Sequence, residues 1–171
     1  MPEAHIIRRI RSSPEDLFGF VADVERYPDF INLISAMRIT KTLSETEFEA
    51  EAIVAYKMLS ETFRSLVMTD ADALKIEVKK AEKGGAVKTL VNRWQFYPLE
   101  DGSTLIDVVV DVRLKARALD FLLRDKFTKA TNQIVSAFER RAAQVLPVVG
   151  KANYDFTAEA KAHGLDIENL V

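Results

Sequence analysis

The chain has 171 residues, 48% hydrophobic and 29% charged, with a formal net charge of −2, two histidines and no cysteine. These proportions fit one globular domain with an ordinary core, exclude disulfides, thiolate metal sites and cysteine nucleophiles, and leave too few histidines for a metal cluster. The charge gives no electrostatic reason to expect nucleic acid, and no signal-peptide run, transit peptide or apolar stretch near ~18 residues is present, so the sequence reads as a cytoplasmic protein of bacterial type.

In chain order, Ala4 to Ser12 alternates weakly and predicts a first strand, with His5 at its surface. Ser13-Pro14-Glu15-Asp16 predicts a helix start: a hydroxyl N-cap, proline at the first helical position, and two acids at the positive dipole end. Leu17, Phe20, Val21 and Val24 form the buried stripe of that helix, and Tyr27-Pro28 closes it. Asp29 to Ile34 reads as a second short helix with Phe30, Leu33 and Ile34 apolar. From Met37 to Leu114 the period changes to two, which predicts strands at about 36–43, 46–57, 60–69, 73–80, 86–98 and 103–114. Asp70 to Asp72, Gly84-Gly85 and Asp101-Gly102 mark hairpins. In the last strand Ile106, Val108, Val110 and Val112 oppose Asp107, Asp111 and Arg113, so the two aspartates sit on a wet face rather than in a catalytic pair.

Ala116 to Leu146 holds no Gly or Pro, and Leu119, Leu123, Phe127, Ala130, Ile134, Phe138, Ala142 and Val145 recur at helical spacing. One long amphipathic helix follows, ended by Pro147. Burying its large side chains is worth about 1.5–3 kcal/mol each, so it needs a broad apolar partner. An antiparallel sheet with one apolar face supplies it. The expected fold is α+β: a curved sheet of six to seven strands wrapped around a long C-terminal helix, with two short helices after the first strand. Residues 1–147 form this domain, and 148–171 a loosely held tail with a short helix near Thr157 to His163.

If Ser60 pairs with Lys57 across a turn at Met58-Leu59, Ala50, Ala52, Val54 and Tyr56 share a face with Glu61, Phe63, Ser65 and Val67. Small side chains at inward positions leave a cavity, unless Phe121 or Phe127 from the helix fills it.

Val21-Ala22-Asp23-Val24-Glu25-Arg26-Tyr27-Pro28-Asp29-Phe30, Leu59 to Ser65, Trp94-Gln95-Phe96-Tyr97-Pro98 and Ser136 to Ala142 together resemble the coenzyme Q-binding proteins of the START-like, polyketide-cyclase-related superfamily. The resemblance spans Ala4 to Leu146. It departs at Ile31-Asn32-Leu33-Ile34, where many relatives carry Pro-Trp-Cys, and in the valine-rich last strand. It implies a helix-grip fold with a hydrophobic tunnel, binding of an isoprenoid quinone such as ubiquinone, and a chaperone or carrier role in respiratory electron transport, with no cofactor and no catalysis. Peripheral contact at the inner membrane would accompany it.

The expected tunnel lining is Phe30, Leu33, Val54, Tyr56, Phe63, Trp94, Phe96, Val108, Val110, Phe127 and Ile134, with Tyr56 and Trp94 offering polar edges to a quinone carbonyl. Ile31, Ile34, Met58 and Leu59, apolar where turns are usually polar, are expected at the mouth as a lip or membrane-touching patch, or beneath neighbouring loops or a partner chain. Two other classes stay open. Ribosome-association toxins among the relatives bind the large ribosomal subunit, which needs a basic surface such as Arg113, Lys115, Arg117, Arg124, Lys126 and Lys129. Aromatase/cyclases need a proton-transfer group at the cavity, for which Glu61 and Arg64 are candidates on opposite strand faces.

Overall fold

The computed structural model describes residues 3–56 and 58–167, without the side chains of Tyr56 and Leu59. The strands are β1 (Glu3–Ile10), β2 (Ile34–Thr42), β3 (Glu47–Tyr56), β4 (Leu59–Asp70), β5 (Lys75–Gly85), β6 (Val87–Pro98) and β7 (Thr104–Leu114). They form one antiparallel sheet in the order β1-β7-β6-β5-β4-β3-β2. Helix α1 spans Pro14–Ala22, α2 Arg117–Val145 and α3 Thr157–Ala162. This is the expected α+β helix-grip architecture, and α2 begins and ends within a residue or so of the run that its spacing predicts.

Period-two alternation sets the inner face. Ile6, Val108, Trp94 and Ile76 form one row across four strands, and all four are buried. Above that row, Leu17 and Val21 of α1 and Val135, Phe138 and Ala142 of α2 close the core. Ser13 caps α1 as its sequence predicts, accepting from the Asp16 N–H at 3.2 Å.

Two local expectations are corrected. The second helix is a 3-10 turn over Val24–Asp29, not Asp29 to Ile34. Helix α1 stops at Ala22, and the Tyr27 hydroxyl reaches back to donate to the freed Val21 carbonyl, so the chain folds over one turn earlier. The β3–β4 register pairs Tyr56 with Leu59 and Ala55 with Ser60, two residues from the expected pairing; a shift of two leaves the shared faces intact. Gly84-Gly85 stands at the β5–β6 turn as its composition predicts, Gly85 ending β5 and Val87 starting β6, although the ladder there is irregular. Strand β5 pairs with β6 only from Lys75 to Lys79, then bulges and returns to β4 with Gly85 opposite Phe63. Gly85 has φ +69°, and a Cβ there would lie 2.3 Å from the Thr62 carbonyl oxygen, so only glycine fits.

Part of the outer face, at β1, β7 and the hairpin between β6 and β7, is covered by the chain after Pro147. Ala160 and Leu165 pack on Ile7, Leu99 and Leu105, with Tyr97, Tyr154, Phe156 and Ile167 at the edge. This segment, expected to be loosely held, is packed on the opposite side of the sheet from α2. Among the described residues no helix is long and apolar enough to cross a membrane.

Candidate functional site

The space beneath the C-terminal half of α2 is filled by rings. Phe138 of α2 meets Trp94 at 5.0 Å, Phe30 at 5.1 Å, Tyr27 at 5.1 Å and Phe20 at 6.0 Å between centroids, and Trp94 stacks on Phe96 at 6.0 Å. Burial above all, and then the charge of Asp23, push the Tyr27 phenol well above its ordinary range, so it remains a neutral donor. Trp94, Phe96 and Val108, expected to line a tunnel, are therefore packed core at this end.

Beneath the N-terminal half of α2 the packing is looser. Phe127 is buried with Ala4 and Val112, while Phe63, Leu90, Val110, Leu114 and Leu123 are half-buried around it. Phe127 rather than Phe121 occupies this space, because Phe121 turns out to solvent, 73% exposed. Farther along the inner face Val54 and Ala52 are half-buried and Ala50 is buried. Asn92 stands in the row between Val78 and Val110 with its Oδ1 buried and unpartnered, one polar acceptor on an apolar face.

A groove of about 1130 Å³ opens along α2. Phe30, Ile31 and Leu33 form one wall, Ile134 and Ala137 supply apolar surface from α2, and Thr128, Asn132, Gln133 and Ser136 supply polar groups. Arg8, Arg124, Asp125, Lys129 and Arg140 complete the lining. Arg8 reaches α2 by donating to Ser136 Oγ at 2.8 Å and lies 3.9 Å from Glu139. Arg124 donates to Asp120 at 2.9 Å. Asp120 is itself buried, and its carboxyl is held below the usual range by the N–H of Leu114 first and by Arg124 as well, against the effect of burial. It fixes the first turn of α2 where no side-chain cap exists.

Of the predicted lining, the groove brings together Phe30, Leu33 and Ile134, whereas Val54, Phe63, Val110 and Phe127 face the looser space under α2 and Trp94, Phe96 and Val108 the core. Of the predicted lip, Met58 is fully exposed and Ile34 half-buried, but Ile31 is only 2% exposed. Its N–H donates to the Tyr27 carbonyl at 2.9 Å, which turns the side chain inward at the exit of the 3-10 turn. The side chains of Tyr56 and Leu59 lie outside the described residues. Arg64 is on the outer face, donating to Glu51 at 3.0 Å, and Asp107 pairs there with His5. Glu61, opposite Val54, is half-buried.

The groove residues missed from sequence include Arg8, Asn132, Ser136 and Arg140. Arg8 carried a faint signal, standing in the inward alternation Ile6-Arg8-Ile10.

Residues 10–139 match the profile of the polyketide cyclase / dehydrase and lipid transport family. The chain belongs to that family. Among similar proteins is the ribosome association toxin RatA of Rickettsia prowazekii, 31% identical over 134 residues, which are 78% of this chain and 90% of that one. The mitochondrial coenzyme Q-binding protein coq10 of Schizosaccharomyces pombe is 23% identical over 131 residues, covering 75% of this chain and 79% of that one. The solution structure of an 18 kDa protein from Caulobacter crescentus superposes with a TM-score of 0.68 at 30% identity, covering 85% of this chain and 98% of that chain. For this polyketide cyclase / lipid transport member, the matched residues end within α2, and α3 lies beyond them.

Proposed function

We propose that this chain is a carrier for a hydrophobic isoprenoid ligand, ubiquinone or a related quinone, held between the sheet and α2, and not an enzyme. The observation that carries this reading is the loosely packed apolar space under the N-terminal half of α2, where Phe63, Leu90, Val110 and Leu123 stay half-buried, Phe63 standing opposite the small side chain of Ala52. A polyprenyl chain gains about 0.8 kcal/mol per buried methylene and needs such surface more than polar recognition. Asn92 would offer its amide to the head group. The resemblance to a coenzyme Q-binding protein supports the same reading, as does the family's description.

Ligand exchange with a membrane belongs to this proposal. Lys115 donates to the Ala86 carbonyl and Ala86 to the Thr62 carbonyl, both at 2.9 Å, which ties the start of α2 to the start of β4. Met58, Phe121 and Leu122 therefore project at one end of the molecule, beside Lys115, Arg117 and Lys126. An apolar rim flanked by cations suits an anionic bilayer surface.

A second reading, association with the ribosome, is favoured by the cations along α2 and by the similarity to RatA. Mass spectrometry of an organic extract of the natively expressed protein separates the two. A stoichiometric quinone or polyprenyl lipid supports the carrier; an empty extract after incubation with quinone-loaded liposomes, together with salt-sensitive cosedimentation with ribosomes, supports the other.

A further inference from the structure

We infer that the groove along α2 selects an amphiphile with an anionic head, a carboxylate or phosphate on a single lipid chain, over a neutral one. This rests on the carrier reading in that the chain binds lipid, and it adds a second site, since the groove shares no lining with the apolar space under the N-terminal half of α2 proposed for the neutral quinone. The groove has two chemically different sides. Phe30, Leu33 and Ile134 present apolar surface, and Arg8, Arg124, Lys129 and Arg140 present positive charge against the single carboxylate of Asp125. Arg8 and Arg124 already have partners in Ser136, Glu139 and Asp120. Lys129 and Arg140 have none among the described residues, so their charge is available to a ligand. An ordinary solvated helix face has no apolar wall across from it. Here both surfaces line one cavity, the arrangement that an anion on an alkyl chain satisfies and that neither a neutral lipid nor a bare anion satisfies fully.

Asn132 adds a polar point of contact. Its Nδ2 donates to the Thr128 carbonyl at 3.1 Å, while its Oδ1 is buried without a donor. A protonated phosphate oxygen or a glycerol hydroxyl would supply one. The groove also communicates with the interior through rings, since Phe30 touches Phe138 and Phe138 touches Trp94, the sole tryptophan. Displacement of Phe30 by a ligand would register in Trp94 emission.

The test is calorimetric titration of the full chain, below micellar concentrations, with hexadecyl phosphate, palmitate, hexadecanol and decylubiquinone, Trp94 emission being followed in parallel. The two anions should bind at least about tenfold tighter than hexadecanol, and the advantage should shrink with added salt and vanish in the Lys129→Glu, Arg140→Glu double variant. Both residues are exposed, and circular dichroism of the variant would verify an unchanged fold. Equal binding of all four ligands would overturn head-group selection and leave the carrier reading standing. Binding of none of them would overturn the carrier reading itself. Competition by inorganic phosphate or a short oligonucleotide as strong as by hexadecyl phosphate would mean that the cations read phosphate alone, and would also overturn the proposal.

Discussion

Arg9 and Asp101 form a buried ion pair, 2.6 Å from Nη2 to Oδ2, with side chains only 11% and 2% exposed. The same carboxylate accepts from the Ser103 N–H and hydroxyl and from the Lys151 N–H, and Arg9 donates to the Lys151 carbonyl. One acid thereby binds β1, the β6–β7 hairpin and the C-terminal segment together. Asp101→Asn leaves Arg9 charged and poorly paired, and should cost about 3 kcal/mol in a urea titration. Amide exchange over Tyr154 to Leu165 should accelerate more than in α2; equal acceleration in both would show that the segment is not held there.

The same group gives an acid signature. Burial alone would raise the Asp101 titration, but the Ser103, Lys151 and Arg9 hydrogen bonds outweigh it and hold the carboxyl well below its ordinary range. The unfolded chain therefore takes up this proton first as pH falls. Stability from Asp101 is complete above the unfolded value of about 4 and is lost progressively below it. Urea midpoints measured from pH 7 to pH 3 should fall more steeply below pH ~4 in the parent than in Asp101→Asn.

Much of the fold was legible because it is written in local periods. Ser13-Pro14 marked the start of α1, the alternation from Ile106 to Val112 identified the inner face of β7, and the spacing from Leu119 to Ala142 outlined α2. What was not legible depends on contacts between distant residues. Arg9 and Asp101 are 92 positions apart, and Arg8 meets Ser136 across 128. Gly84-Gly85 marked the β5–β6 turn, but not the bulge through which Gly85 pairs back to β4. The groove was half visible: Phe30, Leu33 and Ile134 followed from apolarity, but the convergence of Arg8, Lys129 and Arg140 on them is a product of packing. Phe121 and Phe127 are both phenylalanines of one helix, and Phe127, four residues after Leu123 in the apolar stripe, is the one that is buried, as the spacing indicates.

Two glycines with positive φ should respond differently to alanine. Gly85 would place its Cβ 2.3 Å from a backbone oxygen, whereas Gly102, with φ +92°, has nothing within 4 Å. Both substitutions incur left-handed backbone strain of about 1 kcal/mol, and only Gly85→Ala adds a clash with main chain that cannot move aside. Thermal denaturation should show a clearly larger loss for Gly85→Ala; the reverse order would contradict the β4–β5 bulge.

Phe138 is 2% exposed and touches Phe20, Tyr27, Phe30 and Trp94. Phe138→Ala should cost about 3–5 kcal/mol and alter Trp94 emission in the folded state. A loss under about 1 kcal/mol would mean that the ring cluster is not the packed core described here.

The rim at the opening end makes the opposite prediction. Met58, Phe121 and Leu122 are exposed by 100%, 73% and 57%, so they contribute little to folding, and serine at all three should change the unfolding free energy from urea titration by less than about 0.5 kcal/mol per residue. Their value, if the carrier exchanges ligand with a bilayer, is at the membrane. Full burial of such a side chain is worth about 1.5–3 kcal/mol, so even half-insertion of each is worth several-fold in partition. Flotation with vesicles containing anionic lipid should show the triple serine variant losing at least about tenfold in binding while its affinity for decylubiquinone is retained. Added salt should weaken the parent further, because Lys115, Arg117 and Lys126 flank the rim. Undiminished flotation of the triple variant would remove the rim from ligand exchange and leave the membrane contact to be sought elsewhere on the protein.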